Sequence, residues 1–200
     1  MAPQLCDRSR RTCIAAVLVA ALQPLSGHAH TPYKQWAVYR QKHLLIGCHK
    51  DVPATYDLSK QIVSHLEGEL PAASARVARA PAASRLASLM ATDQLNIAVL
   101  APELALAMAS GSDKFAVYGS IELTTLLAMD GFLLVGHSRL KDHHCWQITK
   151  ALEPFASQSN SSQSNASQSN ASQSNASKPA LPWHKGSELY LLGEPMPNKL

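Results

Sequence analysis

The sequence lacks the motifs that mark the common classes of enzyme. It contains no G-x-S-x-G turn for a nucleophilic serine, no phosphate-binding P-loop and no glycine pattern for a dinucleotide. No pair of acidic residues stands in an arrangement typical of acid–base catalysis. We therefore predict that the protein is not an enzyme and that it needs no cofactor.

Clusters of basic residues are also absent. Residues 1–29 are left out of this count because they are predicted below to be a signal peptide. The other residues include 15 of the 18 basic and 13 of the 14 acidic residues, so their net charge is +2. No group of lysines or arginines is dense enough to follow a phosphate backbone. Nucleic acid is therefore not an expected partner.

The chain begins with an apolar run that is too short to cross a membrane. CIAAVLVAAL (residues 13–22) has about ten residues, whereas a membrane-spanning helix needs roughly 20. Arg8, Arg10 and Arg11 precede this run, and Gly27 and Ala29 follow it as small residues suited to cleavage. We predict a secretory signal peptide over residues 1–29 and a periplasmic location for the other 171 of the 200 residues.

Cysteine is scarce. Of the four cysteines, two lie in the predicted signal peptide, and Cys48 and Cys145 remain. An oxidising compartment would allow these two to form a disulfide. Two separate buried thiols fit the sequence equally well.

Short apolar runs alternate with helical patterns along the middle of the chain. Apolar residues recur at every fourth position from Leu58 to Leu70, which predicts a helix that ends at Pro71. LNIAVLA (95–101) is the clearest strand, and Gly111 should end the helix that begins at Pro102. Further strands are predicted at 43–47, 75–80, 115–123 and 131–137, further helices at 82–94 and 141–155, and LTTLLAM (123–129) fits either. The alternation predicts an α/β fold with three layers and a mainly parallel sheet.

A four-copy pentapeptide repeat, SQSNS SQSNA SQSNA SQSNA, occupies residues 157–176. Its largest apolar side chain is alanine, so it buries too little surface to offset the entropy of ordering. We predict an α/β domain over residues 30–155 and a flexible linker over 156–180. Residues 181–200 are predicted to dock back onto the domain because they are too few to fold alone.

The loop after the first predicted strand contains a candidate binding site. In open α/β sheets, ligands bind beyond the carboxyl ends of the strands, where helix N-termini offer N–H groups to an anion. Thr55, Tyr56 and Ser84 supply hydroxyl groups at the predicted starts of two such helices. The alternative is that Thr55 and Ser84 cap their helices and that Tyr56 packs.

The segment KDHHCW suggests a metal site, because histidine and cysteine are zinc ligands. However, His143, His144 and Cys145 are adjacent in sequence, and adjacent residues on a helix point in different directions. We therefore expect no metal at these residues and interpret the histidines as solvated.

Several segments together resemble the TAXI-type solute-binding proteins of tripartite ATP-independent periplasmic (TRAP) transporters. LLIGCHKDVPATYDLSKQIVSHLEGELP resembles the opening strand, Gly-Thr-Tyr loop and helix of that family, and ARVARAPAASRLASLMATDQLNIAVLAPELALAMASG resembles its next unit. DGFLLVGHSRLKDHHCWQITKAL resembles its late return strand and helix. LPWHKGSELYL resembles its Pro-x-His-Pro-Gly-Ala segment, with Lys185 in place of the second proline.

This resemblance implies one lobe of a type II periplasmic binding protein. Thr55, Tyr56 and Ser84 then become ligand contacts for a small carboxylate or an amino acid, and TRAP membrane subunits become possible partners. The second lobe of the family is missing, and proline and alanine replace glycines in DVPATYD and APAAS. We therefore expect weak binding, with a homodimer as one way to rebuild a cleft. The alternative is a degenerate lobe that acts as a protein-interaction module in the periplasm and binds no solute.

Overall fold

A computed structural model describes residues 42–129, 131–163 and 180–198, without the side chains of 158–163. Five strands and five α-helices make up the described chain. In chain order they are β1 (Leu45–His49), α1 (Pro53–Glu69), β2 (Arg76–Ala80), α2 (Ala83–Ala91), β3 (Ile97–Leu100), α3 (Pro102–Ser110), β4 (Leu123–Met129), β5 (Phe132–His137), α4 (Asp142–Gln163) and α5 (Lys185–Leu191). Short 3-10 helices cover Pro71–Ala73 and Asp113–Tyr118.

The five strands form one mixed sheet in the order β2-β1-β3-β5-β4. β1 pairs in parallel with both β2 and β3, whereas β5 runs antiparallel to β3 and to β4. Because β4 and β3 are both opposed to β5, four of the five strands point the same way. The predicted α/β fold with a mainly parallel sheet is confirmed.

Helices cover both faces of the sheet, which gives the three predicted layers. α1 and α4 cover one face, where the largest fully buried side chains include Ile46, Ile62, Leu66, Leu126 and Leu134. α2, α3 and the 3-10 helix Asp113–Tyr118 cover the other face, with a core that includes Leu86, Met90, Leu100, Met108 and Phe115. The apolar stripe predicted on α1 explains the first of these cores, since Leu58, Ile62 and Leu66 are all buried there.

The strand predicted over FAVYGSIEL is wrong. Residues Asp113–Tyr118 form a 3-10 helix, and Gly119 follows at φ +69°. Phe115 and Tyr118 are three residues apart and pack on the same core, as the 3-10 repeat requires, while Val117 between them is 80% exposed. The ambiguous segment LTTLLAM is a strand, β4.

A turn of two residues connects β4 to β5. Met129 pairs with Phe132, so only residues 130 and 131 lie between the strands, and Gly131 has φ +77°. A positive φ at this position suits glycine and a tight hairpin. The chain therefore reverses within the same sheet at the point where the resemblance would place a second lobe.

The C-terminal segment packs against the domain at β4 and α4. Trp183 forms a parallel bridge to Thr125, and the backbone N–H of His184 donates to the carbonyl of Thr125 at 2.8 Å. The Thr149 hydroxyl on α4 donates to Ser187 Oγ on α5 at 2.7 Å, and both side chains are fully buried. These contacts fix the C-terminal segment with α5 against β4 and α4, although a long stretch of sequence separates α5 from α4.

Several predictions fall wholly or partly outside the described residues. The predicted signal peptide is one of them, and residues 164–179 of the predicted linker are another. The first seven residues of the repeat belong to α4, which runs to Gln163, where the sequence analysis placed a flexible linker. None of the helices in the described part of the chain is long and apolar enough to span a membrane.

Candidate functional site

The carboxyl ends of the parallel strands form one edge of the sheet, and three helices begin there. α1, α2 and α3 start directly after β1, β2 and β3. The chain moves from β1 to β2 on one side and then to β3 on the other side, so the strand order reverses between β1 and β3. Open α/β sheets bind ligands at such a reversal point. This edge, which we call the carboxyl edge, is the region that the sequence predicted as the site.

Thr55 lies at the carboxyl edge with its side chain fully buried in the first turn of α1. Its hydroxyl donates to the carbonyl of Val52 at 2.7 Å and lies 3.2 Å from the carbonyl of His49. A threonine hydroxyl has one hydrogen to donate, and backbone acceptors already use it here. Thr55 therefore fixes the start of α1 to the end of β1.

Tyr56 is half-buried at the same helix start, with a cation on its ring from each of two elements. Lys60 Nζ lies 4.7 Å from the ring centroid and Arg79 Cζ lies 4.3 Å from it. Such contacts are attractive because the ring face is electron-rich. The ring thus joins α1 to β2 and gathers positive charge beside the edge.

Ser84 is the second residue of α2 and is half-buried. The residue before it, Ala83, binds a carboxylate through its backbone. The backbone N–H of Ala83 donates to the Asp51 carboxylate at 2.9 Å. A helix N-terminus favours a negative charge, so this contact stabilises the start of α2. A carboxylate of the chain itself therefore occupies the position predicted for the carboxylate of a ligand.

His49, the last residue of β1, is the least satisfied polar group at this edge. Its side chain is 1% exposed, and neither ring nitrogen has a hydrogen-bond partner in the described part of the chain. Nδ1 lies 3.5 Å from the Asp51 carboxylate, without hydrogen-bond geometry. Burial lowers the pKa of His49, and the positive charge of Lys114 adds to this effect while Asp51 opposes it. The buried imidazole is therefore neutral at pH 7, and both of its ring nitrogens are unsatisfied in the described part of the chain.

Sequence reasoning named Thr55, Tyr56 and Ser84 but missed His49 and Asp51. Asp51 lies in the loop before α1, where a local reading assigns it to that helix, yet it caps α2, 32 residues away. The sequence offers one weak signal for His49, which is a polar residue at the end of the apolar run of β1. Both residues lie where a parallel strand ends, which is where open α/β sheets bind ligands. This rule could therefore have added them to the predicted site.

A cavity of about 410 Å³ lies elsewhere, at the amino end of β1. Its walls include Lys42, His43, Leu70, Leu140 and Ile148 and none of the predicted site residues. The carboxyl edge has two features that can recognise a ligand: the unsatisfied ring of His49 and the start of α2, which Asp51 caps. We therefore place the candidate site at the carboxyl edge.

The segment with His143, His144 and Cys145 forms the start of α4. The two histidine rings lie 4.1 Å apart. His144 is exposed, whereas His143 is buried, so the interpretation of both histidines as solvated is wrong for His143. Cys145 is fully buried, and burial, aided by the charge of Asp142, raises its pKa to about 12. Cys48 and Cys145 are both free thiols. In the part of the chain that the structure describes, no group of three or more potential ligands is placed to hold a metal ion.

The buried histidines predict a loss of stability in mild acid. Burial lowers the pKa of His49, His137 and His184 below the unfolded value near 6.5. Below that pH the unfolded chain binds protons that the folded chain does not, so the free energy of unfolding falls by up to about 1.4 kcal/mol per pH unit for each histidine. Urea unfolding at pH 7, 6 and 5 should show this decrease. His49→Leu should make it less steep and leave the protein at least as stable at pH 7, since an unsatisfied buried group is removed. An unchanged slope in this variant would contradict the assignment of His49 as neutral.

Comparison of the sequence with known protein-family models and with curated proteins found no match to either. The case for a function therefore depends on the geometry of the carboxyl edge and on the resemblance described above.

Proposed function

We propose that this chain is a periplasmic solute-binding lobe of a TRAP-type transport system, which binds a small carboxylate or an amino acid at the carboxyl edge. One observation carries the proposal. His49 is buried with both ring nitrogens unsatisfied, and it lies beside a helix start that already holds a carboxylate. A buried polar group without a partner costs free energy, and a ligand that supplies one recovers that cost.

The fold supports this proposal in two ways. The site is at the reversal of strand order between β1 and β3, which is the usual ligand position in an open α/β sheet. The five-stranded sheet is also consistent with a single lobe, in which β5 lies antiparallel between β3 and β4. Binding by one lobe leaves much of the solute exposed to water, so we expect a weak affinity.

A second candidate is a protein-interaction module that binds no solute. The contacts of the helix starts favour it, since Asp51 uses the first N–H of α2 and Pro53 and Pro102 remove the first N–H of α1 and α3. Under this proposal the lobe docks onto a TRAP membrane subunit or onto a second copy of itself. It would keep the fold of a receptor without its activity.

Thermal unfolding of the chain purified from the periplasm separates the two proposals. We expect an amino acid or a small carboxylate to raise the melting temperature, since a ligand at 100 times its Kd adds about 2.7 kcal/mol. That corresponds to a shift of roughly 5 to 11 °C for a domain of this size. The His49→Leu variant should lose the shift while remaining folded. A wild-type protein that is folded but insensitive to every solute would support the interaction module instead.

A further inference from the structure

A carboxylate lies beside the buried imidazole of His49. The Asp51 carboxylate, 48% exposed, lies 3.5 Å from Nδ1. The positive charge of Lys114, on the 3-10 helix Asp113–Tyr118, helps to lower the pKa of the same ring. The site thus has a partly exposed anion beside a neutral imidazole, and the anion is the group in contact with the helix start.

The anion is fixed in place by its hydrogen bond. Asp51 Oδ2 accepts from the N–H of Ala83 at 2.9 Å, which holds the carboxylate over the positive end of α2. A carboxylate has two oxygens and about four acceptor positions, so one bond from Ala83 leaves capacity to accept more. A second carboxylate at the same helix start would meet a like charge at short range. A ligand with an ammonium group would meet an acceptor.

We propose that Asp51 determines the specificity of the site: it stands where a solute carboxylate would bind, and it selects a small ligand that carries an ammonium group. This inference rests on the proposed function, because it names the ligand class for the same site. The ammonium donates to the free acceptor positions of Asp51 and to a ring nitrogen of His49.

The test uses two simple probes, butylammonium chloride and sodium succinate, in NMR titrations that follow the imidazole signals of His49. His49→Leu assigns those signals, and both titrations are made at one ionic strength. We expect butylammonium to shift the signals in the wild-type protein and succinate to leave them in place. Asp51→Asn should weaken butylammonium binding at least tenfold and allow succinate to bind, because the amide oxygen can still accept from Ala83 while the charge is lost. Asp57→Asn, which removes an exposed carboxylate that pairs with Lys60 on α1, is the matched control and should change neither titration.

Each of the other titration results would contradict one specific claim. If the wild-type protein binds succinate and Asp51→Asn does not change that affinity, the role of Asp51 is wrong while the proposed function stands. If Asp51→Asn binds butylammonium as well as the wild-type protein does, the ammonium contact is wrong. If neither probe nor any amino acid binds to either protein, the proposed function fails and this inference fails with it. Far-ultraviolet circular dichroism of every variant confirms that the comparison is between folded proteins.

Discussion

Gly186→Ala should destabilise the protein by about 3 kcal/mol, because the docking of α5 leaves no room for a methyl group. A Cβ atom at Gly186 would overlap the backbone carbonyl oxygen of Asp142 and would lie 2.9 Å from its Cα. Backbone atoms at the start of α4 cannot move aside as a flexible side chain can. The same docking places Ser187 against Thr149 and caps α5 through His184, so these contacts are disturbed together. Thermal unfolding should show a decrease of roughly 6 to 12 °C in melting temperature.

Gly68→Ala is the matched control for this substitution. Gly68 lies at the exposed end of α1, and a Cβ atom there would meet nothing within 4 Å. Alanine favours the helix over glycine, so this variant should be about 0.5 kcal/mol more stable than the wild-type protein. Equal effects of the two substitutions would contradict the close contact between α4 and α5.

Leu134→Ala should cost about 3 kcal/mol, within the 2 to 5 kcal/mol typical of leucine in a core. Leu134 is fully buried on β5, and it stands opposite Val99 on β3 and Leu127 on β4. Removal of its side chain leaves a cavity between the sheet and the helices α1 and α4. The sheet is paired on both sides of this residue, so the backbone cannot close the gap. Equilibrium urea unfolding measures the loss as a lower midpoint at an unchanged slope.

Leu192→Ala provides the comparison for an exposed leucine. Leu192 follows α5 and is 70% exposed, so its truncation should change the free energy of unfolding by less than about 0.5 kcal/mol. If Leu134→Ala cost no more than Leu192→Ala, Leu134 would not lie in the core between the sheet and the helices α1 and α4. The pair therefore tests the burial of β5 on this face.

The fold was predictable from the sequence where local pattern and tertiary contacts agree. The stripe from Leu58 to Leu70 and the pair Pro102 and Gly111 each describe one helix with its own ends, and the structure has helices there. The strand prediction for FAVYGS was wrong because its four consecutive apolar residues are compatible with a buried strand and with a 3-10 helix. Only the contact of Phe115 with the core distinguishes the two, and that contact depends on residues distant in sequence.

The candidate site was less predictable, because its decisive contacts join separate elements. Thr55, Tyr56 and Ser84 could be named because hydroxyl groups near helix starts are visible in the sequence. Their hydrogen bonds could not be predicted, because the partner of a hydroxyl depends on the conformation of the loop in the folded protein. The contact of Asp51 with Ala83 bridges two βα units and has no local signature.

Under the proposed function, the two-residue turn between β4 and β5 also shortens the lifetime of a bound solute. A receptor of two lobes closes over its solute, which leaves only after the lobes reopen. Here the chain turns straight back into the sheet after Met129, so the carboxyl edge gains no cover from that point of the chain. For a Kd of about 1 mM and an association rate constant on the order of 10⁸ M⁻¹s⁻¹, the complex lasts about 10 µs. A lobe with that lifetime samples the solute concentration around it continuously, and any transporter subunit that uses it must respond to average occupancy.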